Sequence, residues 1–174
     1  FHGYSVPKGT TYNAFLLMDE KVALFDTVKK PFKDTLIHNI RKVVEPQKID
    51  YLIVNHVEMD HSGSILEAVE KIKPKKIFCS ANGRKTLIQH FHREDLPYEV
   101  VKTGDIIDLG KHTVRFIETR MLHWPDSMFT LLVDEGILFS NDAFGQHLCL
   151  TERYDHEIPE YLLMDAAQKF YANL

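Results

Sequence analysis

One short stretch constrains this chain more than any other. The largely apolar run Ile49 to Val54 leads straight into Asn55-His56-Val57-Glu58-Met59-Asp60-His61-Ser62-Gly63. A run of that length and apolarity suits a strand covered on both faces. Ser64 and Glu67 follow at capping-box spacing, which predicts a helix from there to Ile72 with the Ser64 hydroxyl and Glu67 carboxylate satisfying its first amides. The loop between strand and helix therefore carries His56, Glu58, Asp60 and His61. In an extended segment residues two apart point the same way, so His56, Glu58 and Asp60 can converge. His61 joins them only if the chain turns, and Gly63 with the helix start offers a place to do so. Donors this dense, with no Lys or Arg among them, repel one another or go unused unless a cation gathers them.

The rest of the chain supplies a layered scaffold. Tyr12 to Met18 and Lys21 to Asp26 read as an antiparallel hairpin. Pro31 opens a helix carrying Phe32, Leu36, Ile37 and Ile40, which Pro46 stops. Beyond the donor loop, Lys76 to Ser80 reads as a strand and Gly83 to His92 as a helix. Tyr98 to Lys102, Asp105 to Leu109, Thr113 to Glu118, Phe129 to Val133 and Gly136 to Ser140 read as further strands. Pro159 suits the first turn of a last helix running towards Tyr171. Helices between some strands and hairpins between others favour an α/β, layered α+β architecture with mixed sheets.

Length and composition bound the function classes. At 174 residues and about 150 residues per domain, residues 1–174 form one domain or part of a larger one. A content of 44% apolar and 26% charged residues excludes disorder and collagen-like repeats. With net charge −4 and no basic stripe, nucleic acid is a poor partner. No apolar run approaches the ~20 residues that a membrane-spanning helix needs. The two cysteines, Cys79 and Cys149, both in apolar surroundings, read as buried reduced thiols and fit a cytoplasmic location. The chain opens at Phe1 and closes inside an apparent helix, so it is expected to be a fragment.

Two later segments place donors at the ends of apolar runs. Leu122-His123-Trp124-Pro125-Asp126 sets one histidine beside a tryptophan and a ring-locked proline. Phe139-Ser140-Asn141-Asp142-Ala143-Phe144 sets a carboxylate just past a strand. Taken singly, each donor could be an ordinary loop residue.

With these segments aligned, the chain resembles the metallo-β-lactamase fold, specifically the diiron domain of the flavodiiron proteins. The match runs through His56-Val57-Glu58-Met59-Asp60-His61, His123 and Asp142, and extends to Phe1-His2-Gly3-Tyr4, Gly9-Thr10-Thr11-Tyr12-Asn13 and Phe139 to His147. The resemblance implies an αββα sandwich, incomplete at its C-terminus. It implies that His56, Glu58 and His123 hold the iron nearer a flavin, that Asp60 and His61 hold the other, and that Asp142 bridges them. A further histidine ligand would lie beyond residue 174. His2, His147 and Tyr171 fall in stretches similar to those lining the family's pocket and could donate a hydrogen bond or proton to bound substrate. Trp124 and Phe144 are expected to wall the site from water.

By the same resemblance the reaction is reduction of dioxygen to water, nitric oxide to nitrous oxide, or both. Electrons would arrive through FMN in a flavodoxin-like domain that these residues do not contain, in a head-to-tail homodimer. Rubredoxin, a reduced deazaflavin or a reduced nicotinamide system would be the donor.

Two other readings compete. A zinc-dependent hydrolase of the same fold would attack an ester, thioester or amide with a metal-bound hydroxide. Hydrolases of this fold usually carry histidine at the position of Glu58, and the harder carboxylate donor suits iron or manganese better than zinc. Charge agrees, since two ferrous ions set against Glu58, Asp60 and Asp142 leave about one positive charge, and neutral gases enter such a site cheaply. A non-catalytic module that kept the fold would have little use for so many donors.

Overall fold

The computed structural model describes residues 5–172 and divides them into two compact units. The larger, Tyr12–Ser140, holds both sheets of the molecule's described part.

Its first sheet has strand order β1 (Phe15–Leu17), β2 (Val22–Phe25), β3 (Ile49–Ile53), β4 (Lys76–Cys79), β5 (Tyr98–Val100). The pair β1–β2 is antiparallel, as the hairpin pattern predicts, and the other pairs are parallel. Parallel neighbours need crossovers. These are α1 (Lys33–Arg41), then a single turn α2 (Met59–Ser62) with α3 (Ile65–Ile72), then α4 (Ala81–Phe91). The second sheet is an antiparallel meander, β6 (Ile106–Asp108), β7 (Thr113–Glu118), β8 (Met128–Leu132), β9 (Ile137–Phe139). Of the two expected mixed sheets, only the first mixes directions.

Strand periodicity assigns the layers. On β2, Val22 and Leu24 face the helices with Leu36, Ile40, Ile65 and Ile72, while Ala23 and Phe25 face the second sheet. On β4, Ile77 and Cys79 point to the helices and Phe78 to the second sheet, where it meets Phe116 with ring centroids 5.6 Å apart. Both faces of β3 are covered, which is why its sequence is apolar nearly throughout.

At the edge of this sandwich Asp19, in the β1–β2 turn, clasps the β6–β7 turn. Its carboxylate accepts hydrogen bonds from the amides of Lys111 (3.0 Å) and His112 (2.9 Å) and from the His112 ring at 2.8 Å. Gly110, with φ +125°, lets Glu20 pass where a Cβ would stand 2.6 Å from its side chain.

Two expectations fail at helix starts. Ser64 makes no side-chain cap; its hydroxyl donates instead to the carbonyl of Lys29 at 3.3 Å. The reason is that the chain has already turned through α2, so Ser64, at φ −102° and ψ 7°, lacks the extended backbone of a capping residue. Pro159 precedes the last helix instead of lying within its first turn.

The smaller unit comprises the described residues 5–11 and 141–172. Its helix α5 (Glu160–Tyr171) buries Phe170. The segments are joined by the Cys149 amide donating to the Lys8 carbonyl at 3.0 Å. Cys79 is buried as expected, but Cys149 is exposed, because its neighbours Leu150 and Thr151 also face outward. Among the described residues, no helix is long and apolar enough to cross a membrane.

Candidate metal centre

The carboxyl ends of parallel strands are where open α/β sheets leave a crevice for ligands. Here β2, β3 and β4 all end at one place, and each contributes. β3 runs into Asn55-His56-Val57-Glu58. The helical turn α2 then carries Asp60 and His61, so these two sit on helix and not on extended chain. Gly63 closes that turn, and only glycine fits there, since a Cβ would lie 2.4 Å from the Met59 carbonyl and 2.9 Å from the Lys30 nitrogen. The β7–β8 loop supplies His123 and Asp126.

His56 Nε2 and His123 Nε2 both lie 3.5 Å from the same oxygen, Oε2 of Glu58. That is long for a hydrogen bond. It approximates the edge of about 3 to 3.4 Å between two ligands of an ion with metal–ligand bonds near 2.1 Å. Donor atoms of these residues all fall within 4.8 Å of one another. Beside them, His61 Nε2 stands 3.5 Å from Asp60 Oδ2, and the His56 and His61 rings are 5.9 Å apart between centroids. The donor set, two imidazoles and a carboxylate with an adjoining carboxylate and imidazole, fits a redox-active divalent metal.

The orientation of His56 follows from its other nitrogen. Nδ1 is 3.0 Å from Oδ2 of Asp126, which also accepts the Val57 amide at 2.7 Å. Burial pushes the Asp126 carboxyl up, but His56 and the Val57 amide outweigh it and hold the group below the ordinary carboxylate range. An ionised carboxylate only accepts, so Nδ1 carries the proton and Nε2 presents its lone pair to the metal position. Trp124 stands edge-on to the His56 ring at 5.3 Å and shields it.

A buried polar frame holds the backbone beneath these side chains. Asp26, at φ 55°, accepts from the Asn55 amide at 2.7 Å and from its side chain at 3.0 Å. Thr130 of β8 donates to the Asn55 side-chain oxygen, and the Met128 amide to its carbonyl. Thr27 holds the His61 carbonyl through both its amide and its hydroxyl.

Comparison with known proteins agrees with this architecture. The family model described as ODP family beta lactamase matches residues 10–171. The chain belongs to that ODP family. It is 50% identical over its whole length to a rubredoxin-oxygen oxidoreductase of Megalodesulfovibrio gigas and 46% identical to a nitric oxide reductase of Moorella thermoacetica, spanning 44% of each. A solved flavodiiron protein from Giardia intestinalis is 33% identical with a TM-score of 0.95, over all of this chain and 42% of that one. The ODP-family chain is thus similar to the corresponding part of these proteins and spans less than half the length of each.

The remaining sequence-derived site residues of this ODP-family chain lie in the smaller unit or outside the described residues. Asp142 begins a turn closed by the Gly145 amide donating to its carbonyl at 3.0 Å. His147 meets the Thr10 hydroxyl at 3.1 Å and packs its ring against Phe170. Tyr171 is 46% exposed on α5, and Phe144 is 67% exposed. His2 lies outside the described residues. Sequence reasoning assigned no role to Asp126, Asn55, Asp26, Thr27 or Ser80. Asp126 gave a signal in standing three residues after His123; the others are polar residues at strand ends whose partners are remote in sequence.

Proposed function

We propose that this chain is the metal-binding domain of an enzyme that reduces dioxygen to water, nitric oxide to nitrous oxide, or both, at a pair of non-haem irons. The observation that carries the reading is the convergence of His56 Nε2 and His123 Nε2 on Glu58 Oε2, with His56 locked by Asp126. In this reading His56, Glu58 and His123 would hold one iron, Asp60 and His61 the other, and Asp142 would be shared by both. When bound, the pair supplies two adjacent one-electron reductants able to take both atoms, or two molecules, of a small gas.

The protein's own groups do the rest. Asp126 keeps the His56 lone pair aimed at the metal, and Trp124 excludes water from that side. His2, His147 and Tyr171 are hydrogen-bond or proton donors to the bound gas. Electrons would come from FMN in a flavodoxin-like domain of a longer polypeptide, in which residues 1–174 form part of the metal domain and a head-to-tail homodimer would set one subunit's flavin against the other's irons. The upstream donor is rubredoxin, a reduced deazaflavin or a reduced nicotinamide system. The setting is a reducing cytoplasm, which suits two unpaired cysteines.

The test is metal analysis of the native polypeptide grown without added zinc, followed by anaerobic titration of the reduced protein with each gas. Two irons and stoichiometric consumption of dioxygen or nitric oxide are expected. Two zincs with esterase activity and no gas consumption would overturn the reading in favour of the hydrolase.

A further inference from the structure

We propose that Ser80 is a positioning residue for the metal centre, acting through Asp126. Ser80 is 3% exposed and stands between β4 and α4. Its Oγ accepts the Gly83 amide at 2.9 Å, capping α4, and its hydroxyl proton goes to the Asp126 carbonyl at 2.7 Å. Two residues on, the Asn82 side chain donates to the Pro125 carbonyl at 2.9 Å. The first turn of α4 is thereby latched to the loop that presents His123 at one end and Asp126 at the other. Asp126 is 3% exposed, and its carboxylate holds both the His56 ring and the Val57 amide. Releasing its carbonyl loosens the carboxylate that holds His56 Nδ1 at 3.0 Å. Ordinary capping needs only the acceptor lone pair of Ser80, whereas the latch also needs its proton.

This inference rests on the metal reading for its consequence but has a signature that needs no metal. In the native polypeptide, Ser80→Gly removes the hydroxyl at a position where glycine is itself a tolerated cap. Ser80→Thr keeps acceptor and donor. Lys85→Gly, on the exposed side of α4, weakens the helix without touching the latch.

In the iron-free protein, hydrogen exchange of the Val57 amide is expected to quicken about tenfold in Ser80→Gly and to stay at the parent rate in Ser80→Thr and Lys85→Gly. In the iron-loaded protein, Ser80→Gly is expected to bind the first iron about tenfold more weakly, the lower end of what loss of an outer-shell partner costs. If Ser80→Gly matches Lys85→Gly in Val57 exchange, the proposal is wrong. If the parent takes up no iron, the metal reading fails while Val57 exchange still decides whether Ser80 fixes Asp126. Should Ser80→Gly not fold, Asn82→Ala, which cuts the neighbouring bond of the same latch, is expected to raise Val57 exchange in the same direction, and an unchanged rate there would overturn the proposal.

Discussion

Asp126 carries a disproportionate share of the site for a residue that touches no metal position. It sets the proton on His56 Nδ1, and a neutral amide there could equally donate to that nitrogen and turn the tautomer round. Asp126→Asn is therefore expected to weaken iron binding by 10- to 100-fold, read from iron affinity under anaerobic competition with a chelator; unchanged affinity would show that His56 needs no such partner. Glu58 is the other deciding residue, because both histidines converge on its one oxygen. Glu58→His replaces a hard donor by a softer one, and zinc is expected to displace iron in the purified protein, as metal analysis of cells grown with both metals would show. The ligand types and their spacing were legible in the chain because donors leave a mark wherever they cluster without cations. Their supports were not. Asp26, Asn55 and Thr130 meet only after β2, β3 and β8 have stacked, and no local pattern announces a partner more than 70 positions away, as Thr130 is from Asn55.

At the level of elements, alternation and apolar runs located the strands well, since the residues that leave water must alternate with the pleat. The ends were less legible, and the capping-box reading at Ser64 failed because a helical turn had formed earlier, inside the donor loop. The core those patterns describe is tightly filled. Phe116 is fully buried between the sheets against Phe78, so Phe116→Ala is expected to cost about 3 to 5 kcal/mol, measured by denaturant unfolding. The Asp19 clasp gives an element-level pH dependence. Burial pushes its carboxyl up, but the Lys111, Glu20 and His112 amides and the His112 ring prevail and hold it well below the usual range. A depressed folded value means the contribution is complete above the unfolded pKa of about 3.9 and drains away as pH falls towards the folded value. Asp19→Asn should melt at a lower temperature than the parent near neutrality, and the difference should shrink on acidification below about pH 4. A difference that is constant with pH would rule the charge out.

For the whole molecule, the two thiols behave oppositely. Burial pushes the Cys79 thiol up to about 12, whereas Cys149 faces solvent. A disulfide reagent should label Cys149 alone in the folded protein and both after unfolding. That β3 is covered on both faces could be read from its apolar composition; the exposure of Cys149 could not, because it depends on how a loop with no periodicity lies.

The three side chains that converge on one another come from loops that end strands of opposite sheets, His56 and Glu58 after β3 and His123 between β7 and β8. An ion seated there would rivet the two leaves of the sandwich together, so loading would contribute to folding as well as to reactivity, roughly 2.7 kcal/mol once free iron reached a hundred times its dissociation constant. A chain starved of metal would open at that seam and fall to proteases, so scarcity would thin the protein's numbers before it left idle copies behind.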